Sequence, residues 1–111
     1  MKYALLIYGK DDDWTSLSAD ERNAMYAEYA EVGATKGIVG GAELDAATTA
    51  TTVRVQDGET LTTDGPFAET REVLGGFFLF EADNLDDAIA VAARIPAARH
   101  GSVEVRPLVE R

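Results

Sequence analysis

Two stretches limit the folds open to this chain more than any other feature. Residues 2 to 8, KYALLIY, and residues 73 to 82, VLGGFFLFEA, are rich in β-forming side chains and apolar on both sides of the strand each would make. In the first, Tyr3, Leu5 and Ile7 fall on one side and Ala4, Leu6 and Tyr8 on the other; in the second, Phe77 and Leu79 oppose Phe78 and Phe80. A strand with that pattern is covered on both faces.

The remaining elements follow from caps and turn residues. Ser18-Ala19-Asp20-Glu21 is a capping box, so a helix starts after Ser18 and runs to about Lys36, with Met25, Tyr29 and Val32 on one face and Gly37 as its stop. GKDDDWTSL before it reads as a loop, and IVGGAEL after it as a short strand. TATTVRVQDGETLTT is a hairpin around Asp57-Gly58. A two-residue loop would set Leu61 opposite Arg54, whereas a three-residue loop of Gln56, Asp57 and Gly58 sets it opposite Val53; matching the apolar face favours the latter. Gly75-Gly76 marks a bulge or a close backbone approach. Asn84 caps a second helix in which Leu85, Ala88, Ile89, Ala92 and Ile95 recur until Pro96 ends it. SVEVRPLV closes the chain as a strand, alternating Val103 and Val105 with Glu104 and Arg106, and Pro107 suits a sheet edge.

The order β-α-β-(hairpin)-β-α-β describes one two-layer α+β domain of 111 residues, helices on one face of a mainly antiparallel sheet. Two helices cover one face only, so the other apolar face calls for a second copy of the chain, packed sheet on sheet as a homodimer.

Composition narrows the function classes. Ten Lys and Arg against twenty Asp and Glu give a formal charge of -10, which repels nucleic acid and anionic membranes. With no cysteine, disulfides, thiolate catalysis, Fe-S clusters and the usual structural zinc sites are excluded. The N-terminal MKYALLIYGKDDDW lacks a signal-peptide cleavage pattern, and no apolar run approaches the roughly 20 residues of a membrane span, so a cytoplasmic setting is expected.

The stretch TDGPFAETREVLGGFF, residues 63 to 78, has two readings. As a connector, Pro66 stiffens the turn and Asp64 bonds freed amides on the way into the central strand. As a site, the same turn holds Asp64, Glu69 and Glu72 at the mouth of a pocket floored by Phe67 and the sheet. A carboxylate there, partly desolvated by aromatic neighbours, is held as general base for a small carbon acid, and Arg71 or Arg106 binds a substrate carboxylate. Tyr8, on the open sheet face, orients a ligand through its hydroxyl. His100 is the chain's one imidazole, read either as a solvated loop residue or as an acid-base group. Ser102 lies outside any GxSxG elbow, and Asp11-Asp12-Asp13-Trp14 lacks the Gly and distal Glu of a calcium loop. No metal or cofactor is expected.

With DGPFAETRE between hairpin and central strand, and MKYALLIYG, TTVRVQDG and VEVRPLV around it, the sequence resembles the YCII-related family, in its DGPF-domain branch, over essentially the whole chain. The resemblance implies a ferredoxin-like sandwich of the dimeric α/β-barrel group, a cytoplasmic bacterial protein and, in some members, a genetic association with sigma factors. Enzyme readings of such relatives use a His in the first helix paired with an Asp near its end. Residues 18 to 37 hold no histidine, and Thr35 and Lys36 stand where the helix ends, so that dyad is missing here. Two functions are thus in view: a small-molecule protein doing cofactor-free isomerase- or lyase-like acid-base chemistry near the DGPF loop, and a non-catalytic dimeric interaction module with a sigma factor as candidate partner.

Overall fold

In the computed structural model, which describes residues 1–68 and 70–111, four strands form one antiparallel sheet in the order β2-β5-β1-β6. These are β1 (Lys2–Gly9), β2 (Ile38–Glu43), β5 (Val73–Glu81) and β6 (Ser102–Pro107); β3 (Thr51–Gln56) and β4 (Glu59–Asp64) pair as a separate ribbon. The helices are α1 (Asp11–Thr15), α2 (Ala19–Gly33), α3 (Leu85–Ala92) and α4 (Ala97–His100). The chain is therefore α+β with antiparallel sheets, compatible with a ferredoxin-like fold.

Register assigns the faces. Tyr3 lies opposite Phe80 and Leu5 opposite Phe78, and across the other edge of β1 Leu5 meets Val105 and Ile7 meets Val103. Paired residues share a face, and this is the face the helices cover: Tyr3, Leu5 and Phe80 pack with Val32 of α2, Ala88, Val91 and Ala92 of α3, and Ile95. Leu5 and Ile95 are fully buried, each aliphatic side chain of this kind contributing about 1.5–3 kcal/mol relative to exposure. Ala4, Leu6, Tyr8, Phe77 and Leu79 occupy the opposite face, half-buried and outside the cluster that the helices form with the first face.

Gly75 is the extra residue of a bulge: Ile7 pairs with Gly76, but its neighbour Tyr8 pairs with Leu74. The slip inverts the alternation upstream of it, so Leu74 joins Phe77 and Leu79 on the outer face instead of pointing at the helices.

The caps lie where the sequence puts them. Glu21 N–H donates to Ser18 Oγ (3.1 Å) and Ser18 N–H to Glu21 Oε1 (3.0 Å), while Asn84 Oδ1 accepts from Asp87 N–H (3.0 Å). Several details differ from the sequence reading, among them that α3 ends at Ala92, short of Pro96, and that residues 97–100 are a short helix and not a loop. Residues 11–15 are a short helix, not a loop, with three acids in its first turn, where the helix dipole favours them. Arg22 ties it down, donating to Thr15 O (3.2 Å) and lying 5.9 Å from the Trp14 ring. α2 stops at Gly33 because Thr35 takes two late carbonyls, its N–H reaching Val32 O and its hydroxyl Glu31 O. In α3 the buried stripe is Ala88, Val91 and Ala92, and Leu85 and Ile89 are exposed. The covered face already carries Tyr3, Leu5 and Phe80, so the small side chains are the ones that fit against it.

The hairpin loop has two residues, not three: Gln56 pairs with Glu59 and Arg54 with Leu61. Asp57 (φ 51°) and Gly58 (φ 78°) are both left-handed, the requirement of a type I′ turn whose twist matches the strands. A ribbon exposed on both faces offers no buried side to set register, so turn chemistry decides it. No helix among the described residues is long and apolar enough to cross a membrane.

Ser18→Ala removes the cap and should lower stability by about 1 kcal/mol, read as a fall of about 4 °C in Tm. The box also titrates. Its hydrogen bonds from Ser18 hold the Glu21 carboxyl below its usual value of 4.5, so its contribution is complete above that value and is lost as pH falls through the lower folded-state value. Glu21→Gln should therefore flatten the acid limb of the stability-pH curve below pH 4.5 and leave the neutral region parallel to wild type, as followed by urea denaturation at stepped pH.

Candidate functional site

The outer sheet face carries polar groups at one end, beside the bulge. Leu74 is shifted to the outer face, and Glu72 stands in the bend just before β5. Ser102 lies opposite Tyr8 at the start of β6, also on the outer face. The two meet: Ser102 Oγ donates to Glu72 Oε2 at 2.9 Å. Tyr8, Leu74, Glu72 and Ser102 are thereby gathered at the end of β1.

Gly101 shapes the same corner. A Cβ built there would stand 2.3 Å from Tyr8 O and 3.1 Å from Gly9 Cα, so β6 can enter the sheet beside Tyr8 only because residue 101 has no side chain. Further along the face, Glu104 is opposite Leu6 and Arg106 opposite Ala4. Arg106 Nε donates to Glu104 Oε2 at 3.0 Å, and these hydrogen bonds push the guanidinium's pKa up. Arg106 thus reaches the open face with its charge already engaged by Glu104, in an exposed pair worth little to stability.

The other residues singled out from the sequence are placed apart. Asp64 ends β4 opposite Thr51, exposed, and among the described residues it accepts no hydrogen bond; the turn is held instead by Gly65 N–H to Ala50 O (2.7 Å) and Thr52 Oγ1 to Gly65 O (2.8 Å). Phe67 is 79% exposed and lines neither of the two clefts on the helix side. Arg71 is exposed in the bend before β5, and Glu69 lies outside the described residues. His100 is exposed at the end of α4, where its neighbour Arg99 holds both oxygens of Glu28 at 2.8 and 3.1 Å. The structure thus brings Tyr8 and Glu72 together with Ser102, adds Arg106 on the same face, and leaves Asp64, Phe67, Arg71 and His100 in exposed positions. Ser102 was missed as a site residue; its phase with Glu104 and Arg106, opposite to Val103 and Val105, is the signal that marks it as outward-facing.

Two clefts lie on the helix side. One of about 260 Å³ is lined by Glu28, Glu31, Val32, Arg94 and Arg99, and a broader trough of about 740 Å³ runs past Met1, Gly37, Phe80 and Asp87. Neither contains a residue of the outer-face group. Near the first cleft, burial pushes the Tyr29 phenol above its usual value, in keeping with a packing role on α2. Among the described residues no group of three or more His, Cys, Asp or Glu side chains is arranged to hold a metal ion.

Chemically, the outer-face group offers a carboxylate with one oxygen held by a hydroxyl, a phenol across the strand from that hydroxyl, and an apolar floor of Leu6, Leu74 and Phe77. That suits a small, largely apolar ligand bearing a hydrogen-bond donor or an acidic C–H. With Arg106 engaged by Glu104, the local charge favours neutral or cationic ligands over carboxylates.

Comparison with known proteins agrees with the sequence resemblance. The profile of the YCII-related domain matches residues 1–111. An uncharacterised protein of Rhizobium meliloti (strain 1021) is 39% identical over 117 aligned positions, covering 97% of this chain and 92% of that protein.

Gly101→Ala would force β6 away from β1 at Tyr8 and should cost about 1–3 kcal/mol, the range for overpacked sites. Chemical denaturation checks it, with the near-UV signal of the tyrosines reporting the local displacement.

Proposed function

The chain belongs to the YCII-related family, and from that premise we propose that two copies pair sheet on sheet as a dimeric α/β barrel and bind a small molecule between them for cofactor-free acid-base chemistry. The observation that supports this best is the Ser102–Glu72 hydrogen bond at the rim of an apolar face that lies outside the helix-packed core. A second sheet over that face excludes water, and a carboxylate fixed in a dry site is a positioned general base. In this reading Glu72 takes a proton from a carbon next to a carbonyl, and Tyr8 donates a hydrogen bond to the enolate oxygen. The proton returns to a different carbon in an isomerisation; in an elimination a leaving group departs instead. Asp64, Arg71 and His100, exposed and apart from this group, have no part in the proton transfer.

A second reading, a non-catalytic interaction module with a sigma factor as candidate partner, draws on the exposure of Asp64, Phe67 and His100, which line neither cleft.

A thermal-shift screen separates the two. Neutral phenols, lactones and amines, with aromatic acids and short keto acids as the contrasting set, are tested on wild type, Glu72→Gln, Tyr8→Phe and Asp64→Asn. The acid-base reading expects a hit among neutral or cationic compounds that Glu72→Gln loses and Asp64→Asn keeps. A hit lost only in Asp64→Asn moves the site to the DGPF turn, and no stabilisation by any compound favours the interaction module.

A further inference from the structure

The β3–β4 arm is the part of the chain its own fold accounts for least. Every residue of its two strands except Thr52 is exposed, and among the described residues the strands pair only with each other. The bonds of Gly65 with Ala50 and Thr52 fasten the arm's root alone. A two-stranded ribbon without a packed face is marginal in water. The chain is correspondingly broad and thin, 45 × 43 × 19 Å, with a radius of gyration of 15.8 Å against about 13 Å for a compact domain of this length.

The two faces of the arm differ. Register puts Val53 and Val55 on one face with Thr51, Thr60 and Thr62, and Asp64 at the root is that face's only charge; Arg54 and Glu59 are on the other. Val53 is 59% and Val55 68% exposed. Two chains of formal charge -10 repel one another and come together where charge is sparse. The arm's valine face meets that condition, as does the apolar centre of the outer sheet face, where Lys2, Glu81, Glu72, Glu104 and Arg106 stand at the margins and along β6. The sheet face supplies four positions each from β1 and β5, three from β6 and two from β2, whereas a stable interface takes about 20–30 residues on each side. The arm has the uncharged surface to make up much of the difference.

We propose that the β3–β4 arm of each copy packs its Val53–Val55 face onto a second copy of this chain, so that each arm is covered by the partner and not by its own body. Two-fold symmetry makes the contact reciprocal, one arm over each subunit. The inference rests on the sheet-on-sheet pairing proposed above and adds a second surface to it.

The absence of cysteine makes the test direct, because Val55→Cys introduces the chain's single thiol. Its reaction with an aromatic disulfide reagent, followed through a dilution series whose dimer fraction is set by sedimentation equilibrium, should slow by at least about tenfold as dimer forms. Val53→Asp with Val55→Asp should raise the dimer Kd by at least about 100-fold, since four valines lose their cover per dimer. Val53→Thr with Val55→Thr keeps the branched shape and should give a smaller rise in the same direction, which guards against an aspartate variant that merely unfolds the ribbon. If wild type dimerises, Phe77→Asp abolishes the dimer, and the thiol of Val55→Cys reacts equally fast in dimer and monomer, the arm proposal is overturned while the sheet-on-sheet pairing stands. A wild type that stays monomeric throughout, behaving like Phe77→Asp, overturns both.

Discussion

A sheet that is apolar on both faces, in a chain with helices enough for one, is the constraint from which the rest of this structure follows. Tyr3, Leu5, Phe78 and Phe80 are claimed by α2 and α3, and the claim is tight because α3 offers Ala88 and Ala92 to aromatic neighbours. The opposite face then carries Leu6, Phe77 and Leu79, half-buried and outside the cluster those helices form with the sheet. Burial of that second apolar layer is a large free-energy gain still open to the folded chain. The polar groups stand at its margin and along β6, where they leave its apolar centre intact.

Charge is distributed to the same effect. The excess of acid lies largely in α1, the first turns of α2 and α3, and the loops, positions where carboxylates complement helix dipoles or stay in water. The outer face carries its charges in opposite-sign pairs, Glu104 with Arg106 on β6 and Lys2 opposite Glu81 at the far end of β1 and β5. Glu72 is held by a hydroxyl and not by a cation, so its negative charge is left to act on whatever approaches the face. A carboxylate neutralised by arginine would have much less influence there.

Much of the fold was legible in the sequence because strand parity and helix capping are local. Alternation in residues 2 to 8 and 77 to 80 fixed both faces, and Ser18 and Asn84 fixed two helix starts. What failed depended on competition between local rules or on packing not yet formed. The hairpin's register was argued from its apolar residues, yet an exposed ribbon obeys its turn, and Asp57-Gly58 set it. The stripe on α3 was read by helical spacing; its Ala88, Ala92 and Ile95 are buried, but the sheet beneath takes Val91 in place of Leu85 and Ile89. The candidate site was half legible: Tyr8, Glu72 and Arg106 were named from the sequence, while Ser102, the residue that ties Glu72 down, depends on how β6 registers with β1. Asp64 and Phe67 drew attention through their motif, and nothing local to a motif tells whether its side chains turn inward.

Gly75 has a consequence of a different kind. As the unpaired residue of the bulge it acts as a phase shifter in an otherwise strict two-residue alternation, and the start of β5 takes its orientation from that one added step. Residue count, as much as residue identity, then determines which side of the sheet receives Leu74. A chain shorter by that glycine could keep every functional side chain and still direct Leu74 toward the helices, on the side away from Ser102. In relatives of this protein, the spacing between the DGPF turn and the aromatic run of β5 therefore carries functional information that a comparison of side chains alone would overlook.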